Sequence, residues 1–166
     1  VQVWAATQAP NETRQYVAEA LGLEKSEVEC RVTLLGGGFG RKSKPDFVCE
    51  AAILSKAVGA PVRVQWTRED EIQNGYYHAA CAQHLKAGLD ADGKVTAWHQ
   101  SGAWPSILGL WNPAQKTGFP IEYGLGLADM PYNRVPNIQI ENGEADVMIR
   151  VGWYRSVNNI QHAFAM

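Results

Sequence analysis

No run of apolar residues in this sequence approaches the roughly 20 that a membrane-spanning helix requires, and neither sign of charge dominates. Fifteen basic and seventeen acidic side chains leave a formal net charge of -2, so there is no electrostatic footprint for nucleic acid or an acidic membrane surface. Cysteine is scarce: Cys30, Cys49 and Cys81 are odd in number and lack C-x-x-C spacing. That argues against a disulfide framework, and their apolar or strand-like surroundings predict buried free thiols. His78, His84, His99 and His162 stand apart without ligand spacing, which speaks against a zinc or iron site built from protein side chains. No G-x-S-x-G elbow is present to carry an acyl nucleophile. The chain opens Val1-Gln2-Val3-Trp4 with no basic leader, which argues against a secretory signal, and without an initiator Met, which reads as a piece cut from something larger. Its compartment stays open between the cytoplasm and a periplasmic or membrane-associated site.

What is present is ordinary globular material. With 46% hydrophobic and 19% charged residues over 166 positions, the composition suits one domain, residues 1–166, with a core of its own. Val1 to Thr7 reads as a strand, and Pro10 opens a helix with Val17, Ala20 and Leu21 on one face and Gly22 as its stop. A strand follows over Val28 to Leu35. The stretch from Pro45 to Val58 is apolar on most sides and ends at Gly59, so that helix belongs inside a structure or against a large partner. Val62 to Trp66 reads as a further strand, followed by the charged turn Thr67-Arg68-Glu69-Asp70-Glu71. There Thr67 and Asp70 have capping-box spacing, and the acidic groups read as a solvated face. Cys81 to Trp98 is a hairpin turning at Asp90-Ala91-Asp92-Gly93. From Ser101 to Tyr132 the residues Trp104, Pro105, Trp111, Pro113, Phe119 and Pro120 break every period, which predicts an irregular excursion. Asn137 to Glu141 and Val147 to Val151 suggest a second hairpin around Asn142-Gly143, and Ser156 to Met166 a closing helix. The class is α+β, with mixed sheets and packed helices.

The densest signal is Gly36-Gly37-Gly38-Phe39-Gly40-Arg41-Lys42, four glycines in five positions between a strand and a helix. Such a run lets bare backbone approach a ligand and lets successive N–H groups point into one concavity that suits an anion. The same run could serve simply as a tight turn. It also approaches the nucleotide-binding pattern G-x-x-x-x-G-K-[ST], with Lys42 and Ser43 in the last two slots. Against that, Arg41 replaces the second glycine and Pro45 delays the helix. A dinucleotide fingerprint fails at Arg41 as well.

Three ordered motifs make the sequence resemble the first cofactor-binding domain of the molybdenum hydroxylases, the xanthine dehydrogenase and aldehyde oxidase family. They are Ala6-Thr7-Gln8-Ala9-Pro10, then Leu35 to Lys42, then Gly152-Trp153-Tyr154-Arg155-Ser156-Val157 with Ala163-Phe164-Ala165. Between them Val64-Gln65-Trp66-Thr67-Arg68-Glu69-Asp70 and Tyr132-Asn133-Arg134-Val135-Pro136-Asn137 also match, so the resemblance covers essentially the whole chain. Its branch is similar to the bacterial one containing isoquinoline 1-oxidoreductase large subunits and membrane-associated aldehyde dehydrogenases. The purine-oxidising members carry a glutamate just after the loop lysine. Ser43 stands there in this chain, which argues against a purine substrate.

The resemblance implies an oxidoreductase that hydroxylates aldehydes or N-heterocycles with water as oxygen source. Its cofactor would be molybdenum-molybdopterin, in the cytosine dinucleotide form, with the metal held by the pterin rather than by protein side chains. Gln8 would stand near a metal oxo group, Gly36, Gly37, Gly38, Phe39, Gly40 and Arg41 would receive the cofactor, and Arg155 would face the metal centre. Without the resemblance, Gln8 is a turn residue before a helix and Arg155 a surface cation. Expected partners are the remaining domains of a large subunit and an iron–sulfur small subunit. The family's catalytic glutamate lies in a Gly-x-Gly-Glu motif in a second domain; none occurs here, and Gly143-Glu144 is no substitute. The chain is therefore expected to be inactive alone, and the apolar Pro45–Val58 helix with the Trp104 and Trp111 excursion predicts self-association or a sizeable exposed apolar patch. The rival expectations are a nucleotide-binding protein using residues 36–43 and a non-catalytic binding module.

Overall fold

The computed structural model describes residues 1–110, 112, 114, 135–157 and 159–165. The chain forms two compact units, Val1–Gly75 and Tyr76–Met166.

In the first unit, strand β1 (Gln2–Ala5) and strand β2 (Glu29–Val32) pair in parallel, Val3 opposite Cys30 and Ala5 opposite Val32. Helix α1 (Pro10–Leu21) connects them, with Pro at its first position and Gly22 in the left-handed conformation as its stop. Its inner face carries Thr13, Val17, Ala18 and Leu21. Ala20, expected on that face, is exposed, because a helix turning about 100° per residue places it about 60° from Val17 and about 100° from Leu21, at the edge of the buried stripe. Helix α2 (Asp46–Val58) buries Val48 and Ala52 against the same core, which comprises Val3, Ala5, Val17, Ala18, Leu21, Val28, Val48 and Ala52. Its other apolar residues Ile53, Leu54 and Val58 lie exposed.

Three expectations change in this unit. The second strand stops at Val32, so Thr33 to Leu35 already belong to the loop. Residues 62–66 are not a strand, although their burial alternates strictly: Val62, Val64 and Trp66 are half-buried and Arg63 and Gln65 exposed. The period-2 pattern is real, but no neighbouring strand pairs with it among the described residues. Helix α3 (Arg68–Asn74) forms where the charged turn was expected, closed by the Thr67–Asp70 capping box. The Asp70 N–H donates to Thr67 Oγ1 at 3.1 Å, and the Thr67 N–H donates to Asp70 Oδ2 at 3.0 Å.

The second unit is built on strand β3 (Ala82–Leu89), strand β4 (Val95–Trp104) and strand β5 (Asn137–Glu144), in that order across one sheet. The β3–β4 hairpin turns at Asp90–Gly93 as expected, with the Asp90 carboxylate accepting from the Asp92 and Lys94 N–H groups. The second expected hairpin does not exist. Asn142 and Gly143 continue β5, which runs parallel to β4 and places them opposite Gly102 and Ala103. A two-residue hairpin turn needs positive φ at both central residues, and neither residue has it. Val151 instead makes a single parallel bridge to Tyr77. Trp104, Ile107 and Val151 are buried with Gln100 and His162, and the His162 ring meets Trp104 edge-on at 5.5 Å. Helix α4 (Asn159–Ala165) closes the unit. The expected excursion begins as extended β4 and a short 3-10 turn, Ile107–Leu110, while Trp111, Pro113, Phe119, Pro120 and Tyr132 lie outside the described residues.

The two sheets, one parallel and one mixed, and their packed helices make the α+β class expected from the sequence. The three thiols are free, but none is fully buried: Cys30 and Cys49 are half-buried and Cys81 is exposed at the start of β3.

Candidate functional site

The glycine loop leaves β2 and crosses to α2 through backbone that ordinary residues rarely adopt. Gly36, Gly37 and Gly40 have φ of 63°, 102° and 91°, and Phe39 is itself at 49°. A non-glycine residue held there is strain that the surroundings must support, and such strain gathers at ligand clamps. The loop closes on itself through Arg41 N–H to Gly38 O and Ser43 N–H to Gly40 O, both at 3.0 Å. Among the described residues, no intraprotein hydrogen bond uses the N–H groups of Gly36, Gly37, Gly38 or Phe39. Consecutive free donors on a tightly turning backbone are the ingredients of an anion nest.

Gln8 holds this loop. Its Oε1 accepts the Gly40 N–H at 2.9 Å, and its own backbone N–H donates to Lys42 O at 2.9 Å. A β-carbon at Gly38 would fall on the Gln8 side chain and force its carboxamide away from Gly40. With Oε1 committed to Gly40, the amide donor of this exposed side chain has no intraprotein partner among the described residues. Beneath it Thr7 Oγ1 lies 3.1 Å from both Lys42 O and the buried Thr13 Oγ1, and accepts the Ala9 N–H at 3.0 Å. Thr7 and Thr13 therefore tie the start of α1 to the end of the loop. Neither was singled out from the sequence. The available signal was a helix opening at Ala9-Pro10 with no capping side chain of its own, flanked by two hydroxyls.

Arg41 was expected to meet a ligand, and the structure shows it engaged within the protein. Its Nη1 and Nη2 donate to the two oxygens of Asp46 at 2.8 and 3.0 Å, and its Nε donates to Glu71 at 2.7 Å. Burial disfavours the guanidinium charge, and the Asp46 and Glu71 bonds outweigh it, so its pKa stands above the ordinary value. This fork joins the loop, the first turn of α2 and α3. Glu71, expected on a solvated face, stays partly exposed there but also pairs with Arg41. The carboxylate partners are the second set of residues that sequence spacing alone could not single out, since 30 positions separate Glu71 from Arg41.

Lys42 stands 5.9 Å from the Phe47 ring and Lys44 4.4 Å from that of Tyr16. A 3-10 turn covers Arg41–Ser43, and α2 starts only at Asp46, so no helix N-terminus opens at Lys42 as nucleotide cradling requires. Burial, aided by the Asp46 charge, pushes the Cys49 thiol up to about 11, which leaves it protonated and unreactive at neutral pH. Arg155 lies in the second unit on an exposed turn whose next two residues, Ser156 and Val157, have φ of 74° and 44°. Positive φ at a β-branched valine is a genuine outlier. Gly152, at the entrance to that turn, packs so closely on Tyr76 that a β-carbon would strike its side chain. Among the described residues no group of three His, Cys, Asp or Glu side chains could hold a metal. The donors on offer are main-chain amides, a carboxamide and cations, a set suited to an anionic ligand.

Comparison with known proteins bears on this arrangement. The family described as "Molybdopterin cofactor-binding domain" matches residues 1–166. A nicotinate dehydrogenase chain of Pseudomonas putida is 29% identical over 171 residues, covering 99% of this chain and 14% of that protein. The beta subunit of isoquinoline 1-oxidoreductase of Brevundimonas diminuta is 32% identical over 108 residues, covering 64% of this chain and 14% of that protein. Aldehyde oxidoreductase from Desulfovibrio gigas shares the fold with a TM-score of 0.77 at 18% identity, over 99% of this chain and 18% of its own. The chain thus spans less than a fifth of the length of each.

Proposed function

The chain belongs to the molybdopterin cofactor-binding domain family, and on that footing we propose that it forms one wall of a molybdenum–pterin site in a larger oxidoreductase acting on aldehydes or N-heterocycles. The observation that carries this reading is the set of unengaged amides at Gly36, Gly37, Gly38 and Phe39, held open against Gln8. A bulky, phosphate-bearing anion requires backbone donors and close approach, and this loop offers both. Gly36 to Gly40 would cradle the cofactor through main chain, and Gln8 would present its amide donor to it. Arg155 is a proposed cofactor contact on the strength of the family's arginine motif, Gly152 to Val157. Arg41 acts from behind, bracing the loop through Asp46 and Glu71. When bound, the pterin-held molybdenum supplies the oxygen-transfer and two-electron chemistry, so the protein need not ligate the metal.

Several finer features follow the same reading. The dinucleotide form with cytosine suits a bacterial member of this branch, and Ser43 beside the loop lysine disfavours purine substrates. Partners would be the rest of a large subunit, carrying the catalytic glutamate, and an iron–sulfur protein that accepts electrons as the small subunit. The 166 residues would form one domain of that enzyme and would not turn over alone. The substrates for which the relatives are named, nicotinate, isoquinoline and an aldehyde, support the substrate class.

The test is made on the full-length polypeptide. Gly38→Ala and Gly40→Ala should each lose molybdenum and pterin while the protein stays folded. At Gly38 the new β-carbon displaces the Gln8 carboxamide; at Gly40 it meets a positive φ, which costs roughly 1 kcal/mol or more, and it blocks close approach. Full metal occupancy with unchanged rates in both variants would overturn the assignment. So would magnesium-dependent ATP binding that disappears in Lys42→Ala, which would return the loop to nucleotide chemistry.

A further inference from the structure

A groove of about 1420 Å³ opens in the first unit between β1, α2 and the segment following Gly59. Its floor is apolar, formed by Phe47, Val48, Ala51 and Ala52 of α2. One side is β1. In a parallel ladder both main-chain groups of a given residue point to the same neighbour. Val1 O and Ala5 O accept from Glu29 and Thr33, so the odd-numbered residues face β2. Gln2, Trp4 and Ala6 therefore direct their N–H and C=O groups into the groove. The facing side is residues 61–65, whose burial alternates as a strand's does and whose main chain from Val62 to Gln65 makes no backbone hydrogen bond among the described residues. A strand edge and an unpaired, strand-patterned segment thus line the same groove above an apolar floor.

We infer that this groove receives one extended β-strand, contributed by the part of the polypeptide outside these 166 residues, which pairs with β1 and with residues 62–65 together. The inference rests on the chain being part of a larger subunit, as proposed above. Size fits: strands about 4.8 Å apart, about 10 Å deep and rising about 3.3 Å per residue need roughly 160 Å³ per residue, so the groove holds a strand of up to about nine residues. Chemistry fits as well. The charged side chains lining it are Lys42, Lys56 and Arg63, with no carboxylate. Among the described residues none of the three is ion-paired. The occupant is accordingly a strand with apolar residues alternating toward α2 and at least one Asp or Glu at its rim. Insertion would satisfy the strand-like pattern of 62–66 and remove two open edges that would otherwise invite aggregation.

Hydrogen exchange of the full-length polypeptide tests this, read by mass spectrometry on peptides covering residues 1–7 and 60–66. The amides of Val62 to Gln65 should exchange at least a hundredfold more slowly than in an unstructured chain, and dilution should not change the rate. Trp4→Pro removes one groove-facing N–H and leaves the β2 ladder intact; it should speed exchange at 60–66 tenfold or more. If that variant misfolds, Arg63→Glu replaces it and should have the same effect through charge. Rapid exchange at 60–66 in the unaltered protein overturns the inference. Protection that vanishes on dilution overturns it too, by making a second copy the occupant. Molybdenum content is assayed on the same sample: metal-loaded protein with an unprotected groove sinks this inference alone, and a protected groove in protein that never holds metal sinks only the cofactor assignment.

Discussion

Gln8 does two separable jobs, and two substitutions divide them. Its Oε1 anchors the Gly40 N–H, while its amide nitrogen is free to meet a ligand. Gln8→Glu keeps the acceptor but replaces the donor with a second oxygen carrying negative charge. It should therefore leave thermal stability within about 0.5 kcal/mol and lower molybdenum content of the intact enzyme at least several-fold. Gln8→Ala removes the anchor, at about 0.5–1.5 kcal/mol for one net hydrogen bond, and should lower both. Equal metal content in Gln8→Glu and the unaltered enzyme would show that the amide nitrogen meets nothing. At Arg41 the prediction concerns support. The side chain is 12% exposed and bonded to two carboxylates; Arg41→Ala strands a half-buried Asp46 and should cost about 2–3 kcal/mol, below a fully buried pair because Glu71 is partly solvated. Arg41→Lys should recover less than half of that, since an ammonium cannot reproduce the fork. Denaturant titration of the two variants reads this directly.

Helix α3 is seven residues long and too short to persist without its cap. Thr67→Ala should cost about 1 kcal/mol and raise exchange across Arg68–Asn74. Because Glu71 sits in the same helix, it should also loosen the Arg41 fork. Asp70 adds a pH dependence. The Thr67 backbone and side-chain hydrogen bonds hold the Asp70 carboxyl below its ordinary value. A lowered folded pKa stabilises fully above the unfolded value and loses that stabilisation as pH falls through the folded one. The cap should thus be constant from neutral pH down to the ordinary carboxylate range near pH 4 and fail below it. Exchange across α3 that rises already between pH 7 and 5 would contradict this. Helix α2 shows the opposite balance, a long element with sound stops whose outward face keeps Ile53, Leu54 and Val58 in water.

At the scale of the molecule, apolar exposure is the dominant feature. Trp4, Leu34, Phe39, Met148 and Phe164 are all more than 60% exposed, and α2 adds its own ridge. Scattered apolar side chains are normal on a surface, but so many large ones, on a chain spanning less than a fifth of the relatives described above, fit the proposal of a larger subunit whose further domains would cover them. The 166-residue chain alone is expected to self-associate at micromolar concentration, read as a mass above 18.3 kDa by light scattering. A strictly monomeric particle across that range would remove the expectation.

Local rules were enough for much of this. Pro10 with Gly22, and the apolar run closed by Gly59, determined both long helices, because start and stop signals act within a turn or two of backbone. Asp90 to Gly93 determined a hairpin for the same reason, and the dense glycines marked the loop because glycine adopts positive φ at little cost. Tertiary structure decided whatever required a partner distant in sequence. Residues 62–66 have the rhythm of a strand, yet a strand exists only when another edge bonds to it, and none within the described residues does. Asn142-Gly143 reads as a turn but becomes part of β5, since the ladder with β4 continues through Gly102–Asn142, Ala103–Gly143 and Trp104–Glu144, pairs that a turn there would have forgone. Arg41 carries a charge suited to any anion, and only folding brought Asp46 and Glu71 to its three nitrogens. Thr7 and Thr13 are ordinary hydroxyls until Lys42 O arrives 35 residues later. Sequence determined which backbone could be open to a ligand; the fold decided which side chains would hold it open, because those contacts are long-range and their residues carry no local signature.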